Sequence, residues 1–230
     1  MYESLKEQAW EANMDIPRQN LAIYTFGNVS AFDPDKALFA IKPSGVPYDK
    51  LDIASMVIVD LDGKIVEGKL NPSSDTETHR VLYREFSGIL GITHTHSPHA
   101  VGWAQAGKPV PVYGTTHADL CPETIPCTSF MSAEAVKNNY ELETGNLIVQ
   151  TFRDQKKDHL TMPMVLVAGH GPFTWGKDAA KSLYHAAVLE EVCKMALFTE
   201  MLNPDGKSIP EHLIRKHWER KHGPNAYYGQ

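Results

Sequence analysis

Short apolar runs with β character alternate along this chain with helix-patterned stretches. One pair of the runs is joined by a turn too tight to hold a crossover. The runs are Leu38-Phe39-Ala40-Ile41, Met56-Val57-Ile58-Val59 and Lys64-Ile65-Val66, and Asp62-Gly63 sits between the last two as a hairpin signal. Further strands are expected over 89–94 and 164–167, and 146–152 reads as strand-like. Helical spacing marks 3–16 up to Pro17, 98–106, 132–143, a long stretch from Gly176 through Met201, and about 208–221. Ser74-Asp75-Thr76-Glu77 fits the S-x-x-E capping box and predicts a helix from there to about Phe86. Parallel strands need long crossovers and tight turns forbid them. The pattern therefore predicts an α/β fold with a mixed, largely antiparallel central sheet covered by helices on both faces.

No repeat, low-complexity tract or linker interrupts the 230 residues, so one domain over 1–230 is expected. With 22 Lys+Arg against 28 Asp+Glu, the net charge of −6 argues against a nucleic-acid partner. The one basic cluster, Arg215 to His222, is short and interrupted by Glu219, which suits a solvated helix face. No apolar run approaches the ~18 residues of a membrane span. The first residues carry no secretory h-region. Cys121, Cys127 and Cys193 are an odd set without C-x-x-C spacing, as expected of cytoplasmic thiols or small buried hydrophobes.

Chemistry concentrates in three groups. His94-Thr95-His96 stands at the end of a predicted strand, where residues i and i+2 share a face and two imidazoles can meet one ion. His170, in Gly169-His170-Gly171-Pro172, follows another strand and offers a third nitrogen, and Asp75 a fourth, oxygen ligand. Three histidines with an open position describe a catalytic metal centre better than a structural one. The second group is Gly27-Asn28, Lys42-Pro43-Ser44-Gly45 and Ser73-Ser74, small polar segments at strand ends and a helix start that suit a phosphate. Read singly, Ser74 is an N-cap and Asn28 and Ser44-Gly45 are turn residues. The third group comprises possible proton carriers, Asp119 and the terminal Tyr227-Tyr228, in a tail apolar enough to dock.

These segments resemble the class II aldolase/adducin-head family, and its epimerase branch in particular, nearly end to end. The strings that carry the resemblance are Gly27-Asn28-Val29-Ser30, Lys42-Pro43-Ser44-Gly45-Val46, Pro72-Ser73-Ser74-Asp75-Thr76 and His94-Thr95-His96-Ser97. Trp103-Ala104-Gln105-Ala106-Gly107, Gly114-Thr115-Thr116-His117-Ala118-Asp119, Ile125-Pro126-Cys127-Thr128, His170-Gly171-Pro172-Phe173 and Ala226-Tyr227-Tyr228-Gly229-Gln230 complete them. The resemblance implies a divalent ion, usually Zn2+ with Mn2+ or Co2+ also accepted, held by His94, His96 and His170 with Asp75 beside it. It implies that Gly27, Asn28, Lys42, Ser44, Gly45, Ser73 and Ser74 hold a sugar phosphate, and that Asp119 and Tyr228 are the acid/base pair. It implies a homotetramer with active sites at its interfaces. The implied reaction interconverts L-ribulose 5-phosphate and D-xylulose 5-phosphate at C4, in the setting of either L-arabinose or L-ascorbate use.

Three departures accompany the match. Phe26 stands where relatives usually carry Trp, Ser129 where an Arg is common, and Leu120-Cys121-Pro122-Glu123 replaces a more aromatic stretch. A sugar-phosphate aldolase of the same family is the nearest rival. A metallo-β-lactamase-like hydrolase is remote, because Pro98 occupies the place where H-x-H-x-D-H needs Asp. His99 is then a helix-start or surface histidine. A non-enzymatic adducin-type head is disfavoured by the intact histidine set.

Overall fold

The computed structural model describes residues 2–224, 226 and 227. Its elements run, in chain order, α1 (Glu3–Arg18), β1 (Asn28–Asp33), β2 (Leu38–Ile41), β3 (Val57–Asp60), β4 (Ile65–Glu67), α2 (Thr76–Glu85), β5 (Gly91–His94), α3 (Pro98–Gln105), α4 (Thr115–Leu120), α5 (Ala133–Asp154), β6 (Met164–Val167), β7 (Gly171–Gly176), α6 (Ala179–Leu202) and α7 (Glu211–His222). The strands form one seven-stranded sheet in the order β4-β3-β2-β1-β5-β7-β6. Every neighbouring pair is antiparallel. An isolated bridge between Cys127 and Leu166 is parallel, so the mixed character expected from the sequence shrinks to that contact.

The sheet divides two cores by the two-residue period of its strands. In β2, Phe39 and Ile41 join one core with Val57 and Val59 of β3, under α2, α3, α5 and the second half of α6. Leu38 and Ala40 face the other way and meet Ala9, Ala12 and Ile16 of α1 and Leu183 of α6. Burying both faces explains why the strands read as continuous apolar runs rather than alternating ones.

Three expectations about elements are corrected. Residues 146–152 are helical, as part of α5, although Leu147-Ile148-Val149 has β character. Their buried positions, Ile148, Val149 and Phe152, fall at helical spacing. Gly145 lets the helix approach α2 so closely that a Cβ there would lie 2.7 Å from Cβ of Val81. The capping box does not form: α2 begins after Asp75, whose side chain makes no cap hydrogen bond, and Glu77 pairs with Arg80 instead. α1 runs through Pro17 to Arg18. The central strand β1 and the strand β7 carry weaker signals, because Asn28, Ser30, Gly171 and Pro172 interrupt their apolar patterns.

Candidate active site

β5 sits between β1 and β7, and its last residue, His94, is fully buried at the strand end. The Pro172 carbonyl engages His94 Nδ1 at 2.9 Å, which turns Nε2 outward. His96 lies just past the strand, with its Nε2 3.0 Å from His94 Nε2. His170 arrives from the turn between β6 and β7, its ring 4.7 Å from that of His94 and 5.5 Å from that of His96. One ligand atom from each of the three lies within 4.8 Å of the others, a group able to hold a metal ion.

The donor set fits a divalent ion. Burial pushes His94 and His170 down to about 3 and lowers His96 as well, so all three rings stand neutral with lone pairs available. His94 Nε2 and His96 Nε2 stand 3.0 Å apart, close enough for both lone pairs to turn to one shared cation. Asp75 stands next to them, one oxygen 4.0 Å from His94 Nε2. Its carboxylate is oriented by Asn28, whose Nδ2 donates to it at 2.7 Å.

The anion segments converge on the same cleft, a cavity of about 370 Å3. Two loops are zipped together to build it. Ser44 N–H donates to the Asn71 carbonyl and Ser73 N–H to the Lys42 carbonyl, both at 2.9 Å, around a Pro43–Pro72 bridge. This places Ser44, Gly45, Ser73 and Ser74 along one wall with Lys42, Gly27 and Asn28. Lys42 is 2% exposed, donates to the Thr25 carbonyl at 3.1 Å and lies over the Tyr48 ring. Burial drops its pKa to about 8, so the ammonium is held less firmly than in water and an incoming anion stabilises it. Gly27 adopts φ +77°, and a Cβ there would come within 3.0 Å of the His94 carbonyl, so glycine is what lets this loop pass under the histidine.

Phe26 stacks on His96 with ring centroids 5.3 Å apart, so the change from Trp keeps an aromatic roof over the cleft. Ser129 is exposed and does not line the cleft of its own chain. Cys121 of the third departure is buried in the core. His99 begins α3, held by Glu190, as a helix-start residue should be. Tyr140 and Glu141 do line the cleft and were not singled out from the sequence.

Asp119 lies elsewhere. It sits on α4 against α7 and is not among the residues around the histidines. Arg220 grips it with Nε at 2.9 Å and Nη2 at 2.5 Å, and His217 Nδ1 stands at 3.1 Å. Burial alone would raise its pKa, but the hydrogen bonds from Arg220 and His217 and the charge of Lys221 outweigh it and hold the carboxyl below its usual value. The basic cluster of α7 thus turns one side to Asp119, while Arg215 pairs with Glu219 on the exposed side. Tyr227 is 66% exposed, and its ring lies near Lys216; Tyr228 lies outside the described residues.

Residues 7–197 match the family described as Class II Aldolase and Adducin N-terminal domain. The chain belongs to that family. It is 50% identical over 228 residues to "L-ribulose-5-phosphate 4-epimerase UlaF" of Salmonella paratyphi A and to the same-named protein of Salmonella typhi, covering 99% of each chain. Its fold is similar to that of a solved L-fuculose 1-phosphate aldolase, with a TM-score of 0.79 over 94% of this chain and 95% of that one at 20% identity. Among the described residues of this class II aldolase-type fold, no helix is long and apolar enough to cross a membrane.

Proposed function

We propose that this chain is a metal-dependent epimerase that interconverts L-ribulose 5-phosphate and D-xylulose 5-phosphate at C4. The observation that carries the reading is the joining of three neutral imidazoles and a serine- and lysine-lined anion cradle in one cleft. Near-complete 50% identity to relatives named for this activity supports the same substrate.

The C4 hydrogen of a 2-ketose is β to the carbonyl and is not acidic. Inversion therefore proceeds by breaking C3–C4 as the C4 hydroxyl loses its proton, turning the aldehyde so formed, and remaking the bond on its other face. A divalent ion on His94, His96 and His170, zinc by preference for such a donor set, would supply Lewis-acid polarisation of a carbonyl. Lys42 and the Ser44-Gly45 and Ser73-Ser74 loops would retain the two-carbon phosphate fragment during its turn. Asn28 stands beside these residues as a further phosphate-holding group and also orients Asp75. Its Nδ2 carries two hydrogens, of which one donates to Asp75, and its Oδ1 is buried without a partner among the described residues.

Proton transfer on the two aldehyde faces falls to Asp119 and Tyr228, in which a neighbouring subunit's copies approach the cleft. The placement of Asp119 outside its own chain's cleft supports this. So do the apolar side chains exposed along the end of α6, Phe198, Met201 and Leu202, which suit burial in a homotetramer. Free Cys121, Cys127 and Cys193 fit a reducing, cytoplasmic setting.

The test is conversion of L-ribulose 5-phosphate by metal-stripped protein with and without added Zn2+. Metal-dependent formation of D-xylulose 5-phosphate without free glycolaldehyde phosphate is expected. Released aldehyde with no xylulose product would mark an aldolase instead.

A further inference from the structure

α5 is broken near its start. Asn139 has φ −154° and ψ 92°, outside helical space, and its Oδ1 accepts the Leu142 N–H at 3.2 Å, so that the helix restarts on an asparagine cap. Thr144 Oγ1 donates to the Tyr140 carbonyl at 2.8 Å and ties down the first residue after the break. An unbroken helix would carry Tyr140 along a different line. The break sets it in the cleft, with its hydroxyl 3.3 Å from His170 Nδ1.

The three imidazoles are steadied in different ways. A main-chain carbonyl holds His94 Nδ1, and Phe26 stacks on His96. His170 rises from a turn whose preceding residue, Gly169, has φ +74°, and its Nδ1 meets a side-chain hydroxyl. A neutral imidazole that offers Nε2 to an ion carries its proton on Nδ1 and needs an acceptor there. A tyrosine oxygen is such an acceptor.

We propose that Tyr140, brought into the cleft by the helix break at Asn139, is a positioning residue that fixes the His170 ring with Nε2 facing His94 and His96. The inference rests on the reading of these three histidines as metal ligands. Partners of this kind on a ligand histidine typically change metal affinity by about 10–100-fold.

Tyr140→Phe keeps the ring and its packing while removing the oxygen. Competition for Zn2+ against a chelator should show binding weakened about tenfold. Thermal unfolding of the metal-free variant should match wild type, and KM for L-ribulose 5-phosphate at saturating zinc should be unchanged. Asn139→Ala should weaken zinc binding in the same direction, and Asn139→Asp, which keeps the cap, should restore it. Unaltered zinc affinity in Tyr140→Phe overturns the proposal. So does a raised KM at unchanged affinity, which would assign the hydroxyl to the substrate. His170→Asn is measured alongside: wild-type zinc affinity in that variant would defeat the metal reading itself, separately from the role of Tyr140.

Discussion

The histidine cleft and the α4–α7 corner both gather charged groups, but they leave them in opposite states. In the cleft, polar groups have capacity to spare. Two imidazole nitrogens face each other, and among the described residues Asn28 Oδ1 has no partner and Lys42 donates to a single carbonyl. At the corner, Asp119 accepts from both arms of Arg220 and from His217, which fills three of the roughly four acceptor positions of a carboxylate. The first region is built to receive a cation and an anion. The second is built to hold one ionised carboxylate still. On the proposed function, a single chain supplies a binding half-site and, at a different place, a proton-transfer half-site.

The sharpest way to break this contrast is at the metal. His96→Asn should lose bound zinc and turnover together. Losing Lewis-acid assistance costs several kcal/mol, on the order of a thousandfold in rate; zinc content by atomic emission and steady-state kinetics would read both. Full zinc occupancy in the variant would remove His96 from the centre. Lys42→Met acts on the anion wall alone. It should raise KM for the phosphorylated substrate roughly 10–100-fold, the worth of about 1.5–3 kcal/mol for a hydrogen bond to a charged group, with zinc content unchanged. An unphosphorylated ketose should show no such difference between variant and wild type.

The smallest effect belongs to the corner. The folded-state pKa of Asp119 is depressed, so its hold on α7 is complete above the ordinary carboxylate value of about 3.9 and drains away as pH falls through the lower folded value. The indole resonance of Trp218, on α7, should therefore shift below about pH 4 in wild type and show no such acid transition in Asp119→Asn. The histidine cleft has no part in that transition.

The two regions also differed in how far the sequence revealed them. His94 and His96 announce themselves by i, i+2 spacing at a strand end, and His170 by its flanking glycines. The serine loops could be read because small residues and backbone N–H groups at strand ends and helix starts have few other uses. The antiparallel sheet followed from the tight turn at Asp62-Gly63. What escaped was set by tertiary contact. Leu147-Ile148-Val149 looks like a strand until Gly145 packs on Val81 and fixes α5 as a helix. Ser30 blurs the pattern of β1 because it is a buried polar residue, satisfied by His79 and Tyr83. Tyr140 enters the site through a helix break for which the local signal is only the pair Asn138-Asn139, residues that compete with helical hydrogen bonds through their side chains.

The proposed function requires the two half-sites to meet between different copies of the chain. Subunit mixing tests it directly. His96→Asn and Asp119→Asn are each expected to be nearly inactive alone, the first without metal and the second with metal and without its proton carrier. Refolded or co-expressed together, they should regain about a quarter of wild-type activity, the share of sites that random assortment gives an intact His96 from one copy and an intact Asp119 from another. Mixtures that assemble as wild type does and stay at the background of the single variants would contradict the account and place both halves of the site within one chain.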